Sequence, residues 1–412
     1  MNTDNKILKY SFIFLYCFSL WGFLLTKTTF SRPSYLYIVI LLLLCLFGMC
    51  LLKNTNRESL RLTEVSLWIP YLILTDVSYL LQGSVQFSVY WFVPIVVLLL
   101  SSNQNLLISL PNRLLLYTAI ISTIGVFTQI VYPPLQQAVS SIYETDNIEK
   151  WMNNNIGCAG FTYQLATTAA LILIGIPYLL YWNICKKRFF DYLLLILLIL
   201  GLFLAGKRAF SLFVIIIPLF IYFITAKNGN KILISLVLII LVMIIPLISF
   251  DFSVFSSIPG LKRFVDGYTD YQLGEDVTSG RLYIWTYALN LFYQSPIMGI
   301  GVGTFADYYE GGIDAHNTYL TVLCEQGIVG FVFYIIPLIK CLTSTIAIIK
   351  FKSGTHMESW LKFSLFIQLY YILYSLTGNT NSNLFGYQFY FISIAILVYC
   401  KYYYNENLNI CS

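Results

Sequence analysis

Long apolar runs, repeated from one end of the chain to the other, restrict its folding more than any other feature. A helix of about 20 apolar residues crosses a bilayer. Runs of that order lie near residues 10–26, 35–52, 62–82, 86–100, 113–132, 158–182, 189–205, 208–226, 231–250, 316–340, 360–378 and 384–404. They are continuous and lack the period-two alternation of a barrel strand, so each predicts a helix. About 12 spans put both termini on one side. Composition agrees, with 58% of the 412 residues hydrophobic and only 10% charged. Soluble domains carry about 25% charged residues, and a water-exposed surface cannot be covered with fewer than half of that. A soluble enzyme, a disordered chain and a nucleic-acid-binding domain are thereby excluded. The expected fold is an all-α polytopic integral membrane protein, with the lipid bilayer as its solvent.

With the N-terminus placed inside, most of the 24 Lys and Arg residues fall in inner segments, among them Lys186-Lys187-Arg188. The positive-inside rule then makes both termini cytoplasmic, and the net charge of +5 concerns orientation rather than an anionic partner. The first run lacks a small-residue cleavage site and is followed at once by more spans, which predicts a retained helix. Nine Cys lie mostly inside apolar runs, without a CxxC pair or metal spacing, and read as small apolar residues. The expected organisation is nine spans over 1–250 with a medium outer loop at 133–157, a large outer loop at 251–315, and three spans over 316–412. The large loop holds eight of the nineteen acidic residues. Its mix of Gly, Trp, Tyr and apolar residues favours an ordered segment with short helices, and loops of such length are usually functional or disordered.

Inside that loop, Leu282, Trp285, Leu289 and Phe292 recur at helical spacing and predict a short amphipathic helix with this face buried. Thr278 or Ser279 offers an N-cap, and Pro296 stops the pattern. Arg281 then sits in the first turn, where its charge opposes the helix dipole. A cation beside unpaired backbone N–H groups suits an anion, phosphate above all. The alternative is a surface ion pair with Glu275 or Asp276. Lys207-Arg208 fill a tight turn on the outer side, where the basic bias disfavours them; they neutralise an anion or snorkel at a helix end. Asp76, in the outer half of the third span, is either their partner or faces a cavity.

Asp314-Ala-His316-Asn317 stands where the chain re-enters the membrane. His accepts a proton near neutral pH, and Asp314 caps the next helix or orients the imidazole; an interfacial His without chemistry is the other reading. His356, in an inner loop with Lys350 and Lys352, reads as inert. Gly299, Gly301 and Gly303 lack the strand–turn–helix setting of a dinucleotide site and read as turns. Glu325, nine residues past His316, lies about 13–14 Å deeper along a helix and requires a partner or a polar cavity. Gly327 and Gly330 let a neighbouring helix pack close to it.

Taken in order, Leu204-Ala-Gly-Lys207-Arg208-Ala-Phe, Arg281-x3-Trp285, Ser295-Pro-Ile-Met-Gly-Ile-Gly-Val-Gly-Thr-Phe305, Ala-His316-Asn317-Thr-Tyr-Leu and Glu325-x-Gly327-x2-Gly330 resemble the shared core of the bacterial O-antigen polymerase and O-antigen ligase superfamily. The likeness covers roughly residues 200–340. Its upstream motif more often has Ser-Arg than Lys-Arg, so Arg208 matches and Lys207 departs. The resemblance implies a GT-C-like glycosyltransferase that uses an undecaprenyl-diphosphate-linked oligosaccharide as donor and acceptor at the periplasmic face of the inner membrane.

Under that reading Arg208, Arg281 and His316 are catalytic. The arginines clamp the diphosphate, because guanidinium groups bind phosphate bidentately and keep their charge. His316 is the general base on the acceptor hydroxyl or orients it for attack on the anomeric carbon, with Asp314 and Glu310 in reserve as the base. Lys207, Trp285, Asp314, Asn317 and Glu325 complete the substrate site, and aromatic residues of the large loop stack on sugar faces. Displacement inverts the anomeric centre. No cofactor and no metal is expected, since the outer loops lack Asp-x-Asp and clusters with ligand spacing. Polymerase is favoured over ligase, with a lipid-linked oligosaccharide flippase as the reading from another class. A chain-length regulator and a flippase are the expected protein partners.

Overall fold

The computed structural model describes residues 63–82, 111–132, 134–143, 147–182, 189–226, 260–273, 280–310, 312–351, 356–380 and 384–402. The runs near 10–26, 35–52, 86–100 and 231–250 lie outside the described residues, as do Glu275, Asp276, Thr278 and Ser279. Among the described residues every regular element is a helix. Four of these helices are long and apolar enough to cross a membrane: Glu64–Leu81, Arg113–Val131, Arg208–Thr225 and Thr318–Phe351. Leu165–Tyr181, Phe189–Leu204 and Phe389–Lys401 are shorter and apolar.

Two compact units share the chain. One comprises Met1–Leu114, Thr278–Ile348 and Thr355–Ser412; the other comprises Leu115–Val277 and Ile349–Gly354. The division at 277–278 falls inside the segment read as one large loop. Among the described residues, the first unit begins with α1 (Thr63–Ser66) and α2 (Ile69–Leu81). The second takes most of α3 (Pro111–Val131), then α4 (Pro134–Tyr143), α5 (Asn147–Asn153), α6 (Leu165–Leu173), α7 (Phe189–Leu204), α8 (Arg208–Thr225) and α9 (Lys262–Leu273). The first resumes with α10 (Arg281–Gln294), α11 (Phe305–Tyr308), α12 (Thr318–Phe351), α13 (His356–Tyr374) and α14 (Leu384–Tyr402).

Aromatic side chains build the core of the first unit. Trp68, fully buried between α1 and α2, meets the rings of Tyr71, Tyr334, Tyr390 and Phe391 at centroid distances of 5.3–6.2 Å. Tyrosines inside an apolar core need partners for their hydroxyls, and Tyr334 and Tyr371 supply each other's at 3.1 Å. Glu64, 4% exposed, is neutralised by Lys401 from the last turn of α14 at 2.5 Å.

α12 is two helices joined at a break. Gly327 sits at φ +63°, ψ −166°, a region open essentially to glycine alone. In an unbroken helix the N–H groups of Ile328 and Val329 would bond to the carbonyls of Cys324 and Glu325. Here they donate to Pro296 O at 2.9 Å and Ile297 O at 3.4 Å. The two released carbonyls accept from Ile300 N and Gly301 N, both at 2.9 Å. The glycine-rich segment 295–302 thus lies in the break and re-pairs these four backbone groups, as irregular backbone away from water requires. A Cβ on Gly327 would stand 2.2 Å from Ile297 O. The expectation that Gly327 allows close helix packing is therefore corrected: its neighbour is a loop, and its role is to end one helix and start another.

In the second unit every residue of α6 is buried. The loop before it crosses α3, where Gln129 Oε1 accepts the Gly160 N–H at 2.8 Å. Tyr143 of α4 donates to Phe161 O at 3.1 Å. Burial, with Tyr163 beside it, pushes the Tyr143 phenol up to about 12, so this donor keeps its proton at neutral pH.

Candidate active site

In the first unit α10 is the mount for the site. Its N-cap is Gly280, at φ +79° and without a side-chain cap bond, so the expected capping by Thr278 or Ser279 gives way to a glycine cap. Arg281 is the first helical residue, as its position in the pattern predicts, and its Nη1 donates to Thr377 O at 3.3 Å.

The buried face of α10 is not the expected one. Ile284, Ala288 and Leu291 are buried against Phe305, Ala315 and Cys324, whereas Leu282 is 56% exposed. Trp285, Leu289 and Phe292 are half-buried. Both stripes are apolar, so periodicity alone could not choose between them. Thr286, Asn290 and Gln294 are exposed.

Trp285 Nε1 donates to Ala315 O at 3.1 Å, tying α10 to the residue before His316. His316 is exposed and holds φ +51°, a left-handed conformation uncommon for a residue with a side chain. Its backbone is pinned on both sides. Asn317 Oδ1 accepts the N–H groups of Tyr319 at 3.1 Å and Leu320 at 3.2 Å, so the cap of α12 falls to Asn317, not Asp314. Thr318 N donates to Ser375 O at 2.8 Å, and its hydroxyl donates to Gly378 O at 2.8 Å. Asp314 and Glu310 are exposed.

The stretch 375–380 therefore contacts both Arg281 and the start of α12, and sequence reasoning missed it. Its signal was the small polar run Thr377-Gly-Asn-Thr-Asn-Ser after an apolar span.

Glu325 is 5% exposed, two residues before the break at Gly327, and its Oε1 accepts the Phe305 N–H at 3.2 Å. The partner expected for this carboxylate is thus the first N–H of α11. From that helix an aromatic group continues outward. Phe305 and Tyr309 stack at 5.9 Å, and Tyr287 meets Tyr309 at 5.4 Å. Tyr283, 70% exposed, lies 6.4 Å from Tyr309.

Lys207 and Arg208 belong to the second unit. Lys207 is the extended N-cap of α8 and Arg208 its first residue, so Arg208 and Arg281 each begin a helix. The preceding Gly206, at φ +72°, leaves no room for a side chain: a Cβ would stand 2.1 Å from Ile156 O. The Arg208 guanidinium rests on α9 at Gly267. Asp76, half-buried on α2, belongs to the first unit. Among the described residues no three His, Cys, Asp or Glu side chains are grouped to hold a metal ion.

No curated protein matches the chain. The family model described as O-antigen ligase matches residues 193–335, and this match supports placing the chain in the O-antigen ligase and polymerase superfamily.

Proposed function

We propose that the protein is a GT-C-like glycosyltransferase with twelve spans that polymerises undecaprenyl-diphosphate-linked repeat units at the periplasmic face of the bacterial inner membrane. One observation carries the reading: Arg281, held by Thr377, and His316, held through Ala315 by Trp285, are fixed by the same helix. The acceptor sugar hydroxyl attacks the anomeric carbon of the donor glycan. Its proton passes to His316, the new glycosidic bond forms, and the bond to the diphosphate oxygen breaks. The electron pair leaves with undecaprenyl diphosphate, whose growing negative charge Arg281 and Arg208 neutralise. Attack from the face opposite the leaving group inverts the centre. The reaction needs no metal, because the arginines supply the positive charge.

Lys207 and Asp314 are the further substrate-binding residues of this scheme. Trp285, Asn317 and Glu325 bond to the protein backbone, and shape the site from there. A flippase would deliver the donor, and a chain-length regulator would limit the product.

The description of the matching family favours a second reading, ligation of finished glycan onto lipid A–core. Purified protein is incubated with lipid-linked repeat units, with and without lipid A–core, in EDTA. Polymer on the undecaprenyl carrier without the acceptor supports polymerisation. Product formed only on lipid A–core establishes the ligase, and activity restored by Mg²⁺ or Mn²⁺ ends the metal-free scheme.

A further inference from the structure

The turn that carries Arg208 is gripped from two sides within the second unit. On one side Cys158 N donates to Leu204 O at 2.9 Å. On the other, Gly260 N donates to Asn155 O at 3.1 Å, and a Cβ on Gly260 would lie 2.2 Å from Phe203 O and 3.0 Å from Gly206 N. Gly260 leads directly into α9, whose second residue, Arg263, donates from Nη1 to Gly206 O at 3.4 Å. Four residues on, Gly267 faces the Arg208 side chain so closely that a Cβ there would stand 2.0 Å from Nη1 and 3.2 Å from Cζ. One helix therefore ties down the backbone just before Arg208 and supplies the bed on which its guanidinium lies.

We propose that Arg263 and Gly267 are positioning residues for Arg208. Arg263 sets the turn through the Gly206 carbonyl, and Gly267 leaves the guanidinium the one place from which it meets the donor diphosphate. An arginine side chain has many rotamers to lose on binding, so a bed that selects one arrangement makes the phosphate contact ready before substrate arrives. Neither residue needs to touch the substrate. The inference rests on the diphosphate role proposed for Arg208.

The test measures kcat and KM for polymerisation by the full-length protein, using lipid-linked repeat units as the probe. Gly267→Ala should accumulate normally in the membrane and melt no lower than the wild type, since alanine suits a helix better than glycine. Its kcat/KM should nevertheless fall about 100-fold, because a displacement of about 1 Å in a positioned group costs about that much. Arg263→Ala should lower activity about 10-fold, with partial recovery in Arg263→Lys. In an Arg208→Lys background, which lacks the guanidinium fork, Gly267→Ala should add little further loss. Wild-type activity in Gly267→Ala, or a full additional loss in the Arg208→Lys background, overturns the positioning role. Wild-type activity in Arg208→Ala overturns the proposed function and this inference together, so the two failures are distinguishable.

Discussion

Gly327→Ala tests the break in α12. The added Cβ would lie 2.2 Å from Ile297 O, 2.3 Å from Ile297 C and 2.6 Å from Met298 N. All three are backbone atoms, with no flexible side chain to swing away. The backbone conformation is itself closed to alanine at a cost of about 1–3 kcal/mol. The cheapest escape is to straighten the helix, so that Ile328 and Val329 donate again to Cys324 and Glu325. The helix then keeps its bonds, but Pro296 O, Ile297 O, Ile300 N and Gly301 N lose theirs. At about 1 kcal/mol for each lost partner, the variant should be destabilised by roughly 4 kcal/mol. Domains are stable by only about 5–15 kcal/mol, so the loss is a large share of the total. The checks are protein abundance in membranes and thermal unfolding of the purified protein in detergent. Both should drop clearly, and polymer synthesis should fall with them because Glu325 no longer reaches Phe305. Wild-type abundance and an unchanged melting temperature would refute the account of the break.

Three further substitutions probe the site itself. His316→Gly should lower activity about 10²–10⁴-fold, the usual contribution of a general base. Because glycine accepts φ +51° more readily, stability should change by less than about 1 kcal/mol; lost donor binding with intact turnover would make His316 a binding residue. Trp285→Phe deletes the bond to Ala315 O while keeping an aromatic ring. It should cost about 1 kcal/mol of stability and lower kcat more than it raises donor KM, and the reverse pattern would move Trp285 into substrate contact. Arg281→Ala should abolish long-chain glycan with the protein still present in membranes, as gel profiles of surface polysaccharide would show; normal chain lengths would remove Arg281 from the diphosphate site.

Some features were readable from local pattern because local chemistry alone sets them. Pro296, placed after the apolar stretch, stops α10 near its observed end at Gln294. Arg281 opens α10 and Arg208 opens α8 because each follows a break in helical pattern, at Gly280 and at Gly206. His316 was singled out by its chemistry, yet its left-handed backbone left no local mark. Glu325 demanded a partner because a buried carboxylate is costly, but that partner, Phe305 N, lies twenty residues earlier and is reached only because the chain folds back.

Apolar runs and sparse charge were sufficient by themselves to point to a helical membrane protein and to narrow the candidates for its chemistry to a few ionisable residues. The bilayer offers no hydrogen bonds, so a long apolar segment has little choice but to close its own. Tertiary structure alone decided which stripe of α10 is buried, where α12 breaks, and what holds Arg208. Each of these depends on a partner far away in sequence: Phe305 and Ala315 for α10, segment 295–302 for α12, and α9 for Arg208. Periodicity reports that a face is apolar, whereas only a packed neighbour determines which apolar face it covers.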